Sequence, residues 1–133
     1  LNTSVNYFLS QNTTYPLNLP GTAMPSNGVS PTGIVGLIIQ TSGIYKISYD
    51  LSYSTEASTR LETLLLVNAS NLISGTSTVR DTSAGVIENV AGTAILALGA
   101  GDLVRIAARS SVFTNAFFPA FATSLTAVRI GDF

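Results

Sequence analysis

Between residues 44 and 53 the chain alternates with a period of two. Odd positions from 45 to 53 read Tyr45, Ile47, Tyr49, Leu51 and Tyr53; even positions read Lys46, Ser48, Asp50 and Ser52. Successive strand residues point to opposite sides, so this pattern predicts a half-buried strand with one apolar face. It begins just after Thr41-Ser42-Gly43, a turn signal. Shorter runs follow the same logic. A strand is expected at 5–9, followed by a stretch where Pro16, Pro20, Pro25 and Pro31 break continuous pairing. A strand resumes at 32–40, and another covers 61–68. Residues 72–79 pair back on it across Asn68-Ala69-Ser70-Asn71 as a hairpin. A long segment at 85–98 ends in the tight turn Gly99-Ala100-Gly101-Asp102. Strands at 103–110 and 123–130 complete the set, separated by an aromatic loop with Phe113, Phe117, Phe118 and Phe121. Helix signals are nearly absent. Eight or more short strands joined by Gly, Pro, Asn and Ser turns predict an all-β antiparallel sandwich or barrel. No internal repeat or linker divides the chain, so residues 1–133 are read as a single domain.

Composition sharpens this picture. Only 13 of 133 side chains are charged, six Lys or Arg and seven Asp or Glu, where an average soluble domain would carry about 33. Hydroxyls, amides, glycans or other subunits must cover the remaining surface. Ser and Thr, 16 of each, suit exposed strand faces that avoid charge. Without His or Cys there is no Ser–His–Asp triad, no Cys nucleophile, and no zinc, haem or iron–sulfur site of the ordinary kind. A pI near 5.0 with one Lys and five Arg argues against nucleic acid as a partner. Mean hydropathy is +0.42, but the longest uncharged apolar runs, 94–100 and 116–122, are too short to span a bilayer. No membrane insertion is expected. Leu1-Asn2-Thr3-Ser4 lacks a basic n-region and an apolar h-region, so no signal peptide is expected there.

Candidate chemistry is sparse. The acids Asp50, Glu56, Glu62, Asp81, Glu88, Asp102 and Asp132 are scattered; Glu56 and Glu62 flank one loop, a weak basis for a carboxylate pair. Asp102 is read as a turn former. Gly99-x-Gly101 lacks the third glycine and the helix of a dinucleotide fingerprint. No acidic cluster supports a calcium site, and no cofactor is implied. Three Asn-x-Ser/Thr sequons start at Asn2, Asn12 and Asn68 and are read as unmodified. The chain is read as a non-enzyme.

The order of landmarks resembles a known family. Thr41-Ser42-Gly43-Ile44-Tyr45-Lys46-Ile47-Ser48-Tyr49 is similar to the TGxYxxSY-type strand of the complement C1q and tumour-necrosis-factor (TNF) jelly rolls. Leu64-Leu65-Leu66-Val67-Asn68 resembles their xLxxNG strand and turn, with Ala69 where Gly is usual. Leu98-Gly99-Ala100-Gly101-Asp102-Leu103-Val104 is similar to their LxxGDxV turn, and Leu125-Thr126-Ala127-Val128-Arg129-Ile130 falls where they have the final strand. Within that family the chain looks most like the C-terminal heads of bacterial collagen-like glycoproteins of the spore exosporium. Those heads are similarly rich in Ser and Thr, free of His and poor in charge. The resemblance implies a ten-stranded jelly roll, a tight homotrimer, an extracellular place on the spore surface, and a collagen-like stalk upstream of Leu1. No Gly-X-Y repeat is visible in the chain itself.

Such a trimer packs one sheet of each protomer against its neighbours. If 44–53, 103–110 and 123–130 share that sheet, alternation puts Tyr45, Ile47, Tyr49, Leu51, Val104, Ile106, Val128 and Ile130 in the core. The opposite faces then bring Asp50, Leu103, Arg105, Leu125 and Arg129 to the interface, with Asp50, Arg105 and Arg129 pairing near it; ordinary solvated strand faces are the alternative. Phe113, Phe117, Phe118 and Phe121 form either a ligand platform or a plug at the trimer base or axis. Two functions are open. One is a non-catalytic, trimer-forming head of a collagen-like spore-surface protein. The other is a receptor- or carbohydrate-binding head, as on a phage fibre or a TNF-like lectin.

Overall fold

The computed structural model describes residues 5–17, 29–31, 36–68, 71–72, 78–119 and 123–132. Among them run twelve strands and no helix: β1 (Val5–Leu9), β2 (Thr14–Pro16), β3 (Val29–Pro31), β4 (Gly36–Ile39), β5 (Gly43–Thr55), β6 (Thr59–Val67), β7 (Asn71–Leu72), β8 (Thr78–Thr82), β9 (Glu88–Leu98), β10 (Leu103–Ser110), β11 (Thr114–Phe118) and β12 (Thr123–Gly131). They form two antiparallel sheets. One orders β1-β11-β5-β12 with β9 also on β5; the other orders β3-β4-β10-β6-β7 with β2 on β10 and β8 on β6. Of the expected strands, residues 32–35 and 73–77 lie outside the described residues, as do Phe121 and the Asn2 sequon.

The β5 strand organises the first sheet. Its inward residues Tyr45, Ile47, Tyr49, Leu51 and Tyr53 are buried, and both of its edges are paired. Ile44–Leu51 carry β12 on one edge and β9 on the other. The second sheet answers with Leu37, Ile39, Leu61, Leu65, Val67, Val104, Ile106 and Ala108, which join the same core.

The sequence expectation is corrected in three places, for the sheet of one strand, the buried parity of another and a loop. Strand 103–110 belongs to the opposite sheet, where Val104–Ser110 pairs with Leu61–Val67. Alternation reveals which face of a strand is apolar but not which sheet the strand joins, and both sheets face one core. In β12, Leu125 and Ala127 are buried while Val128 and Ile130 are about half exposed, the reverse of expectation. Both parities of this strand are apolar, so the register decides: Leu125 stands beside Tyr49 and Ala127 beside Ile47, inward residues all. The aromatic loop is in part a strand, β11, which pairs with β1 and with the end of β5.

At one end of the sandwich a polar knot ties the turns together. Asn68 adopts a left-handed backbone (φ 60). Its amide nitrogen donates to Asp102 Oδ1 (3.1 Å), and its carbonyl oxygen accepts from the Leu103 backbone (3.1 Å). Asp102 Oδ2 accepts from the Gly99 N–H (2.8 Å), so Asp102 forms the turn as expected. Gly101 takes φ 94 there and donates to the Ile39 carbonyl.

Two core positions yield tests. A Cβ on Gly92 would lie 2.5 Å from Tyr49 Cε1, and that ring is fixed because its hydroxyl reaches Thr63 Oγ1 at 3.2 Å. Gly92→Ala is expected to destabilise the fold by about 1–3 kcal/mol, read as a lower urea midpoint at fixed protein concentration. The Tyr53 hydroxyl is buried without a hydrogen bond among the described residues. Burial, and secondarily the charge of Glu88, push its pKa from 10.0 up to about 12. The folded pKa lies above the unfolded one, so this group's contribution to stability is complete below pH 10 and fades as pH rises through about 12. Tyrosinate absorbance should show one late-ionising group that Tyr53→Phe removes.

Candidate functional site

The outward face of the five-stranded sheet is where the surface departs most from an ordinary soluble protein. Across β9, β5 and β12 the register builds cross-strand rows. Lys46 sits between Ile95 and Val128, Ser48 between Thr93 and Thr126, and Asp50 between Ala91 and Ser124. Ile44 lies opposite Ala97. Ile95 is 64% exposed and Val128 52%; Ile130, also half exposed, sits at the register shift in β12. One end of the face is therefore an apolar patch surrounding Lys46, and the middle is a hydroxyl band. Ser48 and Thr93 hydroxyls meet at 3.4 Å, and Asn89 Nδ2 donates to Asp50 Oδ1 and Ser52 Oγ, each at 2.9 Å. Lys46 and Asp50 are the only charges at outward positions of β9, β5 and β12 among the described residues. Four residues apart on one strand, they are ~13 Å apart and cannot pair with each other.

The opposite sheet carries charge instead. Arg60 pairs with Asp81 at 3.0 Å and Arg109 stands across from Glu62, while Arg80 reaches Glu88 on β9 of the five-stranded sheet at 3.3 Å. These exposed pairs contribute little to stability. Glu62 belongs here and Glu56 at the end of the five-stranded sheet, so the two acids share no cleft. Among the described residues no group of three or more acids, His or Cys is placed to hold a metal.

The residues expected at one interface are distributed over the molecule. Asp50 lies on the outward face described above. Leu103 and Arg105 belong to β10 of the other sheet, where an Arg105 Nη2 donates to the Asn68 carbonyl at 3.4 Å. Leu125 packs in the core, 2% exposed. Arg129 donates to the Ser42 carbonyl (3.0 Å) and pairs with Asp132. No Asp50–Arg105–Arg129 constellation forms within the protomer. The aromatic group also divides. Phe118 is fully buried, edge-to-face against Tyr7, whereas Phe113 and Phe117 are exposed. Phe113 stacks instead on Phe8, with ring centroids 6.2 Å apart. Of the sequons, Asn12 lies on an exposed turn with φ 54, while the Asn68 amide is engaged in the polar knot. Sequence reasoning missed Phe8, Ile95, Val128 and Ile130 as surface residues. The signal was present in 90–98, where Ile95 and Ala97 make the second parity apolar as well.

No family model matches the sequence, and no curated protein matches it. Solved structures do. The Eiger TNF of S. frugiperda superposes with a TM-score of 0.62 at 11% identity, covering 98% of this chain and 94% of that one. Murine APRIL gives 0.56 at 10% identity over 90% and 99%. The globular domain of the zebrafish complement 1qA protein gives 0.51 at 18% identity over 99% and 100%. Two facing antiparallel sheets in this strand order, matched along nearly the whole chain, give the protein the C1q/TNF-like jelly-roll fold.

Proposed function

We propose that the domain is a non-catalytic head that assembles into a homotrimer through the outward face of its five-stranded sheet, capping a collagen-like surface protein of the bacterial exosporium. The observation that carries the assembly is the exposed pair Ile95 and Val128 on either side of Lys46, on a β9-β5-β12 face whose only other charge among the described residues is Asp50. Apolar surface of this kind is stabilised by removal from water, and obligate interfaces of 2,000 Å² or more bury such faces. The collagen-like stalk and the spore surface are supported by the Ser/Thr-rich, His-free composition and by the resemblance of the 41–49 strand. A trimeric head has a physical role in that setting. A collagen helix needs three chains in register, and a folded trimer holds their ends at high local concentration.

Sedimentation equilibrium at micromolar concentration should return three times the 13.8 kDa chain mass. Ile95→Lys together with Val128→Glu should shift the protein to monomer while its β-sheet circular dichroism persists. A wild-type monomer would overturn the assembly reading. Immunogold labelling that left the spore surface bare would overturn the exosporium reading separately.

A further inference from the structure

The aromatic end of the five-stranded sheet holds an arrangement that the trimer reading does not use. Phe8 on β1 stands directly opposite Asn115 on β11, and Phe113 just precedes β11. The two rings stack at 22° and are 58% and 60% exposed. Beside them the polar wall is fixed by three hydrogen bonds. Asn115 Nδ2 donates to Glu56 Oε2 (2.8 Å), the Glu56 backbone donates to the Asn115 carbonyl (2.9 Å), and the Ala57 N–H donates to Thr114 Oγ1 (3.0 Å). The β5–β6 turn is thereby clamped to β11. Rings and wall line an open groove of about 310 Å³ formed by Phe8, Glu56, Ala57, Phe113, Thr114 and Asn115.

We propose that this groove binds a neutral pyranose sugar. A pyranose presents an apolar C–H face and a rim of hydroxyls. The exposed Phe rings offer the complementary apolar surface, as aromatic faces do beside polar groups. Glu56 Oε1, Asn115 Oδ1 and the second Asn115 amide hydrogen make no hydrogen bond among the described residues, so acceptors and a donor stand ready for a pair of hydroxyls. The clamp settles their positions before binding, which lowers the ordering cost. The volume is at the lower end of ligand pockets, suited to one or two sugar rings. Among the described residues no Lys or Arg lines the groove, so the Glu56 carboxylate selects against anionic sugars and phosphates. The groove also lies apart from the Ile95 patch: the Lys46 and Ser54 rows of β5 are ~26 Å apart.

The test is saturation-transfer NMR and calorimetric titration of the intact protein with methyl glucoside, galactoside, mannoside and fucoside, using methyl glucuronide as the anionic control. At least one neutral glycoside is expected to bind with a Kd of about 1 mM or tighter, with transfer strongest to its ring C–H protons. The glucuronide is expected to bind more weakly. Phe113→Ala is expected to weaken binding about tenfold, and Glu56→Gln to abolish the discrimination against glucuronide. Both side chains are exposed, and an unchanged melting curve verifies the fold. The proposal is overturned if no neutral glycoside binds, or if binding survives Phe113→Ala unchanged. It is also overturned if Phe8→Ala and Phe113→Ala change the assembly mass instead, since the rings would then be a contact between copies. Sugar binding by a monomeric protein would leave this proposal standing while refuting the trimer.

Discussion

The strict two-sidedness of β5 is the constraint on which the rest of the structure depends. Its buried side, Tyr45 to Tyr53, supplies the centre of the core, and its two edges set the register of β9 and β12 residue by residue. A slip by one position would turn five large inward side chains to solvent and bury Lys46 and Asp50. Because β9 and β12 are aligned to β5, their outward residues are aligned as well. Ile95 and Val128 flank Lys46 by necessity rather than by local preference. The surface patch is thus a consequence of core register.

Charge is partitioned between the two faces of the sandwich. Arg60, Glu62, Asp81 and Arg109 lie on the seven-stranded sheet, where they keep that side hydrated. The outward face of β9, β5 and β12 has hydroxyls and apolar side chains in their place, with Lys46 and Asp50 as its charges among the described residues. The scarcity of charge in the sequence is therefore concentrated on one side, a distribution suited to a surface that meets other copies and not to one that faces water throughout. Turn chemistry limits how the two sheets can shift. Asn68 and Asp102 link the β6 end, the Gly99–Asp102 turn and β10 by side-chain hydrogen bonds.

Much of the fold was legible from residue patterns because each strand carries its own alternation and each turn its own Gly, Asn or Asp. The β5 core residues, the 99–102 turn with Asp102 as its former, and the return of the chain after Asn68 onto β6 follow from local chemistry. Sheet membership did not, since β10 and β12 have the same apolar alternation and only long-range pairing separates them. The parity of β12 was also hidden, because Leu125 and Ala127 compete with Val128 and Ile130 on hydrophobicity alone. The aromatic groove was half visible. Phe113 stood out in the sequence, but its partners Phe8, Glu56 and Asn115 come from distant segments that meet only through β1–β11 and β5–β11 pairing.

Assembly through the five-stranded sheet requires the outward face of β9, β5 and β12 to be covered by other copies of the chain. Because the chain has no cysteine, a single introduced thiol reports its own accessibility without background. The rate of thiol alkylation at Ile95→Cys, compared with Val79→Cys on the outward face of the other sheet, measures that coverage directly. Val79 is 52% exposed and Ile95 64% exposed in the protomer, so a free monomer would react at similar rates at both. Strong protection at position 95, relieved on dilution, with fast reaction at 79 throughout, is the predicted result. Equal rates at every concentration would contradict it.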